Sequence, residues 1–243
     1  METTEGHLLG GRVRYAQPRA GFRSGIEPVL LAAFVPARPG EAVLEGGAGA
    51  GAALLCLAAR VPGLRGLGIE RDPALAALAR ANAAANAQPG LVFQQGDIGH
   101  LGHHAGGAFD HAFANPPYHP AGGSASPDPG REDAKRAAPG TLAGWTEALA
   151  RCLRPRGTLT LILPAGGAPE VLAAMAAAGV GGGVLLPLWP KPGRAAKLLL
   201  LRGTKGGKAP FRVLAGLVLH REEGGFTTEA ESLLRDGAAL TSD

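Results

Sequence analysis

The chain has 243 residues, 46% of them apolar, enough for one domain with a real core and small additions at either end. A formal charge of +4 and a pI near 9.4 permit a polyanionic partner without demanding one. Two cysteines outside any CxxC pair exclude a disulfide scaffold, and no apolar run reaches the roughly 18 residues a membrane span needs.

Residues 1–26 stand apart from the rest of the chain and read as a short N-terminal arm packed on the core. Within it, residues 12–17 alternate in character and suit a strand. Arg12, Arg14, Arg19 and Arg23 make the arm basic, a pattern that suits RNA phosphates. Residues 27–243 are expected to form a single domain.

The first core strand, 41–46, runs into Glu45-Gly46-Gly47-Ala48-Gly49-Ala50-Gly51 and a helix over 49–61. Glycines at such a turn let the backbone approach a ligand closely and let the helix pack on the strand. Glu45 stands at the strand's carboxyl end, where open α/β sheets bind ligands. The second strand, 66–70, ends at Glu70, about 20 residues past the glycines, where an acid can accept from both ribose hydroxyls. After a helix at 73–86, the strand 91–95 leads to Asp97 and Ile98. Asp97 can accept from the exocyclic amine of an adenine and Ile98 can cover the ring. Gly47-x-Gly49-x-x-Ala52 also satisfies the dinucleotide fingerprint, so an NAD enzyme stays open on these residues alone. An acid two residues before the glycines favours a ligand with an ammonium and a sulfonium over a pyrophosphate, which wants bare N–H groups.

The fourth strand, 108–114, ends in Asn115-Pro116-Pro117-Tyr118. The Asn115 amide and a carbonyl of the Pro-Pro backbone can each accept one hydrogen of a planar NH₂ group, drawing its lone pair out of conjugation. The prolines fix φ, remove competing donors and push the residue before each toward an extended shape. Acceptors are thereby positioned before a substrate arrives, and Tyr118 can stack on the group that carries the amine. Hydride transfer has no use for such a corner.

Residues 119–140 form a long loop rich in Pro, Gly, Ser and charge, including Arg131 and Lys135, and are read as a functional lid or mobile segment. A helix at 141–153, a strand at 156–163, a helix at 168–179 and a strand at 183–189 come next. Residues 195–202 and 212–219 come without a helix between them, and the turn signal at 203–208 predicts a C-terminal antiparallel hairpin. Lys191, Arg194, Lys197, Lys205, Lys208 and Arg212 cluster near it, and would track phosphates if they share one side. Alternating strands and helices predict a doubly wound, mostly parallel, seven-stranded Rossmann-like sheet.

The order Glu45-x-Gly47-x-Gly49-x-Gly51, Glu70, Asp97 and Asn115-Pro116-Pro117-Tyr118 resembles the class I S-adenosylmethionine-dependent methyltransferases. The last motif resembles the branch that methylates amino groups of adenine, cytosine or glutamine. The flanks Gly11-Arg12-Val13-Arg14, Gln17-Pro18, 21–27 and Leu217-Val218-Leu219-His220 with Gly225-Phe226-Thr227 are similar to the bacterial tRNA (adenine-N6)-methyltransferases acting on a valine tRNA. The resemblance covers nearly the whole chain. It implies S-adenosylmethionine as cofactor and in-line methyl transfer to an adenine N6. Gly47, Gly49 and Gly51 would line its methionine part beside Glu45; Glu70 would hold the ribose and Asp97, with Ile98, the adenine. The segment from Ser24 through Gly25 to Glu27 would close over its amino-acid end. Asn115 and Pro116 would bind the target amine and Tyr118 the target base. Glu45 stands where Asp is more usual, which leaves its acceptor role intact. The stretch 163–167 lacks the basic residues of relatives.

Protein glutamine, rRNA or DNA amino-methylation remains open, as does a cofactor-holding RNA-binding module without turnover. Only about 40 residues precede Glu45, too few for the helical substrate domain usual in the glutamine enzymes. The expected partner is tRNA, and the expected state a monomer or homodimer. No metal is expected, since the seven histidines lack ligand spacing and His100, His103 and His104 merely share a glycine-rich loop. The N-terminus has no basic-then-apolar segment, so a soluble, cytoplasmic protein is expected.

Overall fold

A computed structural model describes residues 1–20, 23–101, 106–117 and 140–241. The N-terminal segment is a hairpin, Thr3–Leu8 (β1) with Val13–Pro18 (β2), and a helix, Glu27–Phe34 (α1), comes after it. Then come Ala42–Gly46 (β3), Ala52–Arg60 (α2), Arg65–Glu70 (β4), Pro73–Ala85 (α3), Leu91–Gln95 (β5), Ile98–Leu101 (α4) and Phe109–Ala114 (β6). The second half holds Thr141–Cys152 (α5), Leu153–Pro164 (β7), Ala168–Ala177 (α6), Val180–Trp189 (β8) and Leu198–Lys205 (β9). Short pieces, Arg212–Val213 (β10), Leu217–Val218 (β11) and Thr228–Glu231 (α7), lie toward the C-terminus.

The central sheet runs β5-β4-β3-β6-β7-β9-β8, with β10 and β11 both on the outer edge of β8. Strands β3 to β7 are mutually parallel. Every residue of β3 is buried, as in a parallel sheet covered on both faces. One apolar layer packs Val43 and Phe113 with α1, α2, Ala79 and Ala83 of α3, and the N-terminal hairpin. The other packs Leu44, Ile69 and Leu161 with Ile98 of α4, α5 and α6. Consecutive residues Val43 and Leu44 thus serve opposite faces, the period of two that a strand imposes.

Two readings from sequence need correction, and one helix goes unread. Among the described residues the sheet has nine strands where seven were expected, the additional pieces being the two-residue β10 and β11. The expected hairpin between 195–202 and 212–219 does not form: β9 lies between β7 and β8, antiparallel to both. Leu199, Leu200 and Leu201 are buried, and so apolar a strand needs a partner on each side. The 212–219 run cannot make a long ladder, because Gly216 sits at φ +90°, where a Cβ would run into Trp189 and the Pro187 carbonyl. It therefore pairs with β8 in two short parallel stretches instead. Finally, α1 carries no readable period, because its residues from Pro28 to Phe34 are buried all round.

Candidate active site

The site sits at the carboxyl ends of β3, β4 and β6. Gly51 caps α2 in a left-handed conformation, φ +88°, and a Cβ there would meet the Phe93 ring at 2.8 Å. Glu45 is 4% exposed, and its Oε2 accepts the Leu54 N–H in the first turn of α2 at 3.0 Å. Glu70 Oε2 accepts the Gly49 N–H at 2.8 Å, and its Oε1 accepts the Asp72 N–H at 2.9 Å. Donors that a pyrophosphate would seek at a glycine-rich helix start are thus bound by two carboxylates of this chain. A dinucleotide would meet occupied N–H groups and negative charge, so the site suits a cationic ligand. Burial pushes the Glu45 carboxyl well above its usual value; the Leu54 N–H opposes this and the Glu70 charge adds to it.

Glu45, Gly47, Gly49 and Asn115 line one pocket. Its other wall comes from the N-terminal hairpin and the segment after it, through Tyr15, Gln17 and Ser24. Tyr15 Oη lies 2.9 Å from Ser24 Oγ, and Gln17 Oε1 accepts the Ser24 N–H at 3.1 Å. Burial raises the Tyr15 hydroxyl to about 12; the Ser24 bond lowers it and the Glu45 charge raises it further. This wall of the pocket is thus lined by uncharged polar side chains bonded to one another.

Two asparagines hold that wall in place. Asn82 Oδ1 accepts the Ala16 N–H at 2.9 Å, while its Nδ2 donates to the carbonyls of Ala16 at 2.8 Å and Ala50 at 2.9 Å. Asn86 Oδ1 accepts the Arg14 N–H at 2.9 Å, and its Nδ2 donates to the Arg14 carbonyl at 2.7 Å. One turn apart, Asn82 in α3 and Asn86 capping its end present an amide pair to alternate residues of β2 as a neighbouring strand would. Asn82 also joins β2 to the glycine turn. Reading along the chain misses both residues, although their i, i+4 spacing is visible.

Trp145 of α5 is the other residue missed. A Cβ at Gly47, φ +64°, would lie 2.6 Å from Trp145 Cη2, so the indole covers the outer side of the turn. Gly47 is required by that contact as well as by its backbone angle.

Asp97 Oδ1 accepts the Gly99 N–H at 2.8 Å, and Ile98 is buried with Cγ1 against Gly46. Pro116 and Pro117 follow Asn115 beyond the end of β6 and belong to no strand, while Gly25 is exposed and does not line the pocket. Tyr118, Arg131, Lys135, His103 and His104 lie outside the described residues, as does most of the 119–140 loop. No cluster of metal-ligating side chains occurs among the described residues, and no described helix is long and apolar enough to cross a membrane.

Two of the arm's arginines brace the fold. Arg12 donates to the carbonyls of Asp236 at 2.6 Å and Ala59 at 2.9 Å, joining the two ends of the chain. Arg23 donates to Thr4 Oγ1 at 3.0 Å. Arg19 lies 3.5 Å from Glu2 on the exposed surface. Arg14 is fastened through its backbone. The cations near the C-terminus do not share one side. Lys191, Arg194 and Lys197 lie in the β8–β9 connection at the site's end of the sheet. Lys205 closes β9 at the other end, where its Nζ donates to the Ala178 carbonyl at 2.7 Å.

Such a sheet, with a glycine turn between two acids, is the fold of the class I S-adenosylmethionine-dependent methyltransferases. A predicted O-methyltransferase from Agrobacterium tumefaciens superposes with a TM-score of 0.73 at 24% identity, covering 88% of this chain and 98% of that one. A Thermus thermophilus 16S rRNA N2 G1207 methyltransferase in complex with AdoMet and guanosine superposes at 0.57 and 21% identity, over 84% of this chain and 50% of that one. In sequence, the chain is similar to the tRNA1(Val) (adenine(37)-N6)-methyltransferase of Actinobacillus succinogenes, 32% identical over 149 residues. That match spans 60% of this chain and 63% of the relative. The enzyme of the same name from Dickeya chrysanthemi matches more of the chain, 91%, and 89% of its own length, at 26% identity. These relatives carry the name of the family that the flanking motifs resemble. No protein-family model matches the chain.

Proposed function

We propose that this chain methylates the N6 amine of an adenine in tRNA, with S-adenosylmethionine as methyl donor. The observation that carries the reading is the meeting of Asn115, at the end of β6, with Glu45, Gly47 and Gly49 in one pocket. An amide acceptor for an amine and a buried acid for an ammonium then face a shared space. Relatives named for this activity on a valine tRNA support the substrate class.

The residues present fit the cofactor. Glu45, Tyr15 and Ser24 would receive the amino-acid end, Glu70 the ribose and Asp97 the adenine. Bound there, the cofactor supplies an electrophilic methyl carbon. Asn115 Oδ1 accepts one hydrogen of the target amine, and a backbone carbonyl at Pro116 accepts the other. The nitrogen lone pair is then aimed into the pocket, and the excess proton leaves the amine for water after transfer. Orientation and polarisation supply the rate, because an acceptor held before binding needs no reorganisation. The target base must leave its stack, which is easiest in a single-stranded loop.

Incubation with labelled S-adenosylmethionine and separate tRNA, rRNA, DNA and protein fractions tests the reading. Label is expected in tRNA, at an adenine N6. Label confined to another fraction would reassign the substrate, and full turnover by Asn115→Ala would remove the mechanism.

A further inference from the structure

The end of the sheet that carries the site continues past β6 and β7 to a second polar surface. The β8–β9 connection, 190–197, and the turn after β11, 219–227, emerge there side by side. They are bonded to each other: Leu219 N–H donates to the Trp189 carbonyl at 2.8 Å, His220 N–H to the Pro190 carbonyl at 3.1 Å, and Lys191 Nζ to the Glu222 carbonyl at 2.9 Å. The turn is closed by an antiparallel bridge between His220 and Phe226, whose rings stack with centroids 4.7 Å apart and planes at 23°. Arg221 Nε donates to the Phe226 carbonyl at 2.8 Å, which fixes the turn further. Lys191, Arg194, Lys197 and Arg221 are exposed on this surface, against Glu222 and Glu223 at the tip of the turn.

We infer that this platform is a docking surface for single-stranded RNA, with Arg194 and Lys197 holding phosphates and the His220–Phe226 pair stacking on a base. This deepens the proposed function and rests on it. Two features support it. Strand order places the platform at the same end of the sheet as Asn115, because Ala165 N–H bonds the Lys197 carbonyl at 3.0 Å beyond the end of β7. With neighbouring strands about 4.8 Å apart, β6 to β11 spans about 20 Å, a distance covered by a few nucleotides of one strand. Cations beside a partly exposed aromatic pair are also what an unstacked loop requires, whereas an acidic protein would need only the charges.

The test uses the full chain, an unmodified valine tRNA transcript and heparin as a polyanion without bases. The charge-reversed variant Arg194→Glu/Lys197→Glu is expected to raise the Kd for the transcript at least about tenfold at 0.1 M salt. Its plot of log affinity against log salt should be shallower by about 1.4, some 0.7 for each single-strand phosphate that is no longer neutralised. His220→Ala is expected to raise the transcript Kd about fivefold and leave heparin binding unchanged. Cofactor affinity and the single-turnover rate at saturating transcript should stay as in the unmodified chain. Equal salt slopes for variant and unmodified chain would overturn the platform and leave the tRNA reading standing. Failure of the unmodified chain to bind the transcript at all would overturn both.

Discussion

The two ends of the central sheet use the same kinds of polar residue to opposite purpose. At the amino end, His111 on β6 places Nε2 2.8 Å from Glu41 Oε2 and Nδ1 2.8 Å from Thr158 Oγ1. The neighbouring Asp110 accepts the Ala42 N–H at 2.8 Å and pairs with Arg154 through its other oxygen. Each group has its partners, and the cluster joins β3, β6 and β7. At the carboxyl end, Glu45, Glu70 and Asp97 each accept backbone N–H groups and keep further lone pairs, and Glu45 lines the pocket. A buried polar group with every bond satisfied is structural; one with capacity left beside an opening is poised to bind. The difference arises from strand direction, since ligands enter open α/β sheets where the connections diverge.

The sharpest way to break the comparison is at Asn115. Asn115→Ala should cut turnover by about 10²–10³-fold, the loss typical of one preorganised hydrogen-bonding group in an active site. Cofactor affinity measured by calorimetry should not change. Asn82→Ala removes three hydrogen bonds and leaves backbone groups of β2 and the glycine turn unpaired, costing about 3 kcal/mol in chemical denaturation. It should also weaken cofactor binding, because Tyr15 and Gln17 ride on β2, whereas turnover at saturating cofactor should be nearly normal. At the other end, Asp110→Ala should cost about 2 kcal/mol through the orphaned Ala42 N–H with no change in kcat. A kcat defect there would show that the two ends are coupled.

Two pH profiles sharpen the contrast. Glu45 is raised by burial in the free protein, and a ligand ammonium would favour its ionised form, so binding releases a proton. Cofactor affinity should then rise with pH until the raised value is passed, by at most about tenfold per unit, and Glu45→Gln should flatten it. His111 is pulled below its usual value by burial, although Glu41 and Asp110 oppose this. The unfolded chain therefore takes up the proton first, and folding stability should fall as pH drops below about 6.5. Urea unfolding at pH 7.5 and 5.5 would show this loss, and turnover per folded molecule should not track it.

Much of the architecture is encoded locally. The apolar runs predict β3 to β6 within a residue or so, because strand and helix periods repeat over short distances and survive an alanine- and glycine-rich composition. The glycine turn, its flanking acids and the Asn115-Pro116-Pro117 corner were legible for the same reason: each is a short motif whose chemistry lies in adjacent residues. Tertiary structure alone decided which strand enters between β7 and β8, which cations share the site's end of the sheet, that Asn82 ties β2 to the glycine turn, and that Trp145 packs against Gly47. Those outcomes depend on pairings between residues tens of positions apart. Burial on both edges selected β9 as a central strand, and strand direction separated Lys197 from Lys205, and neither pairing leaves a trace in local spacing.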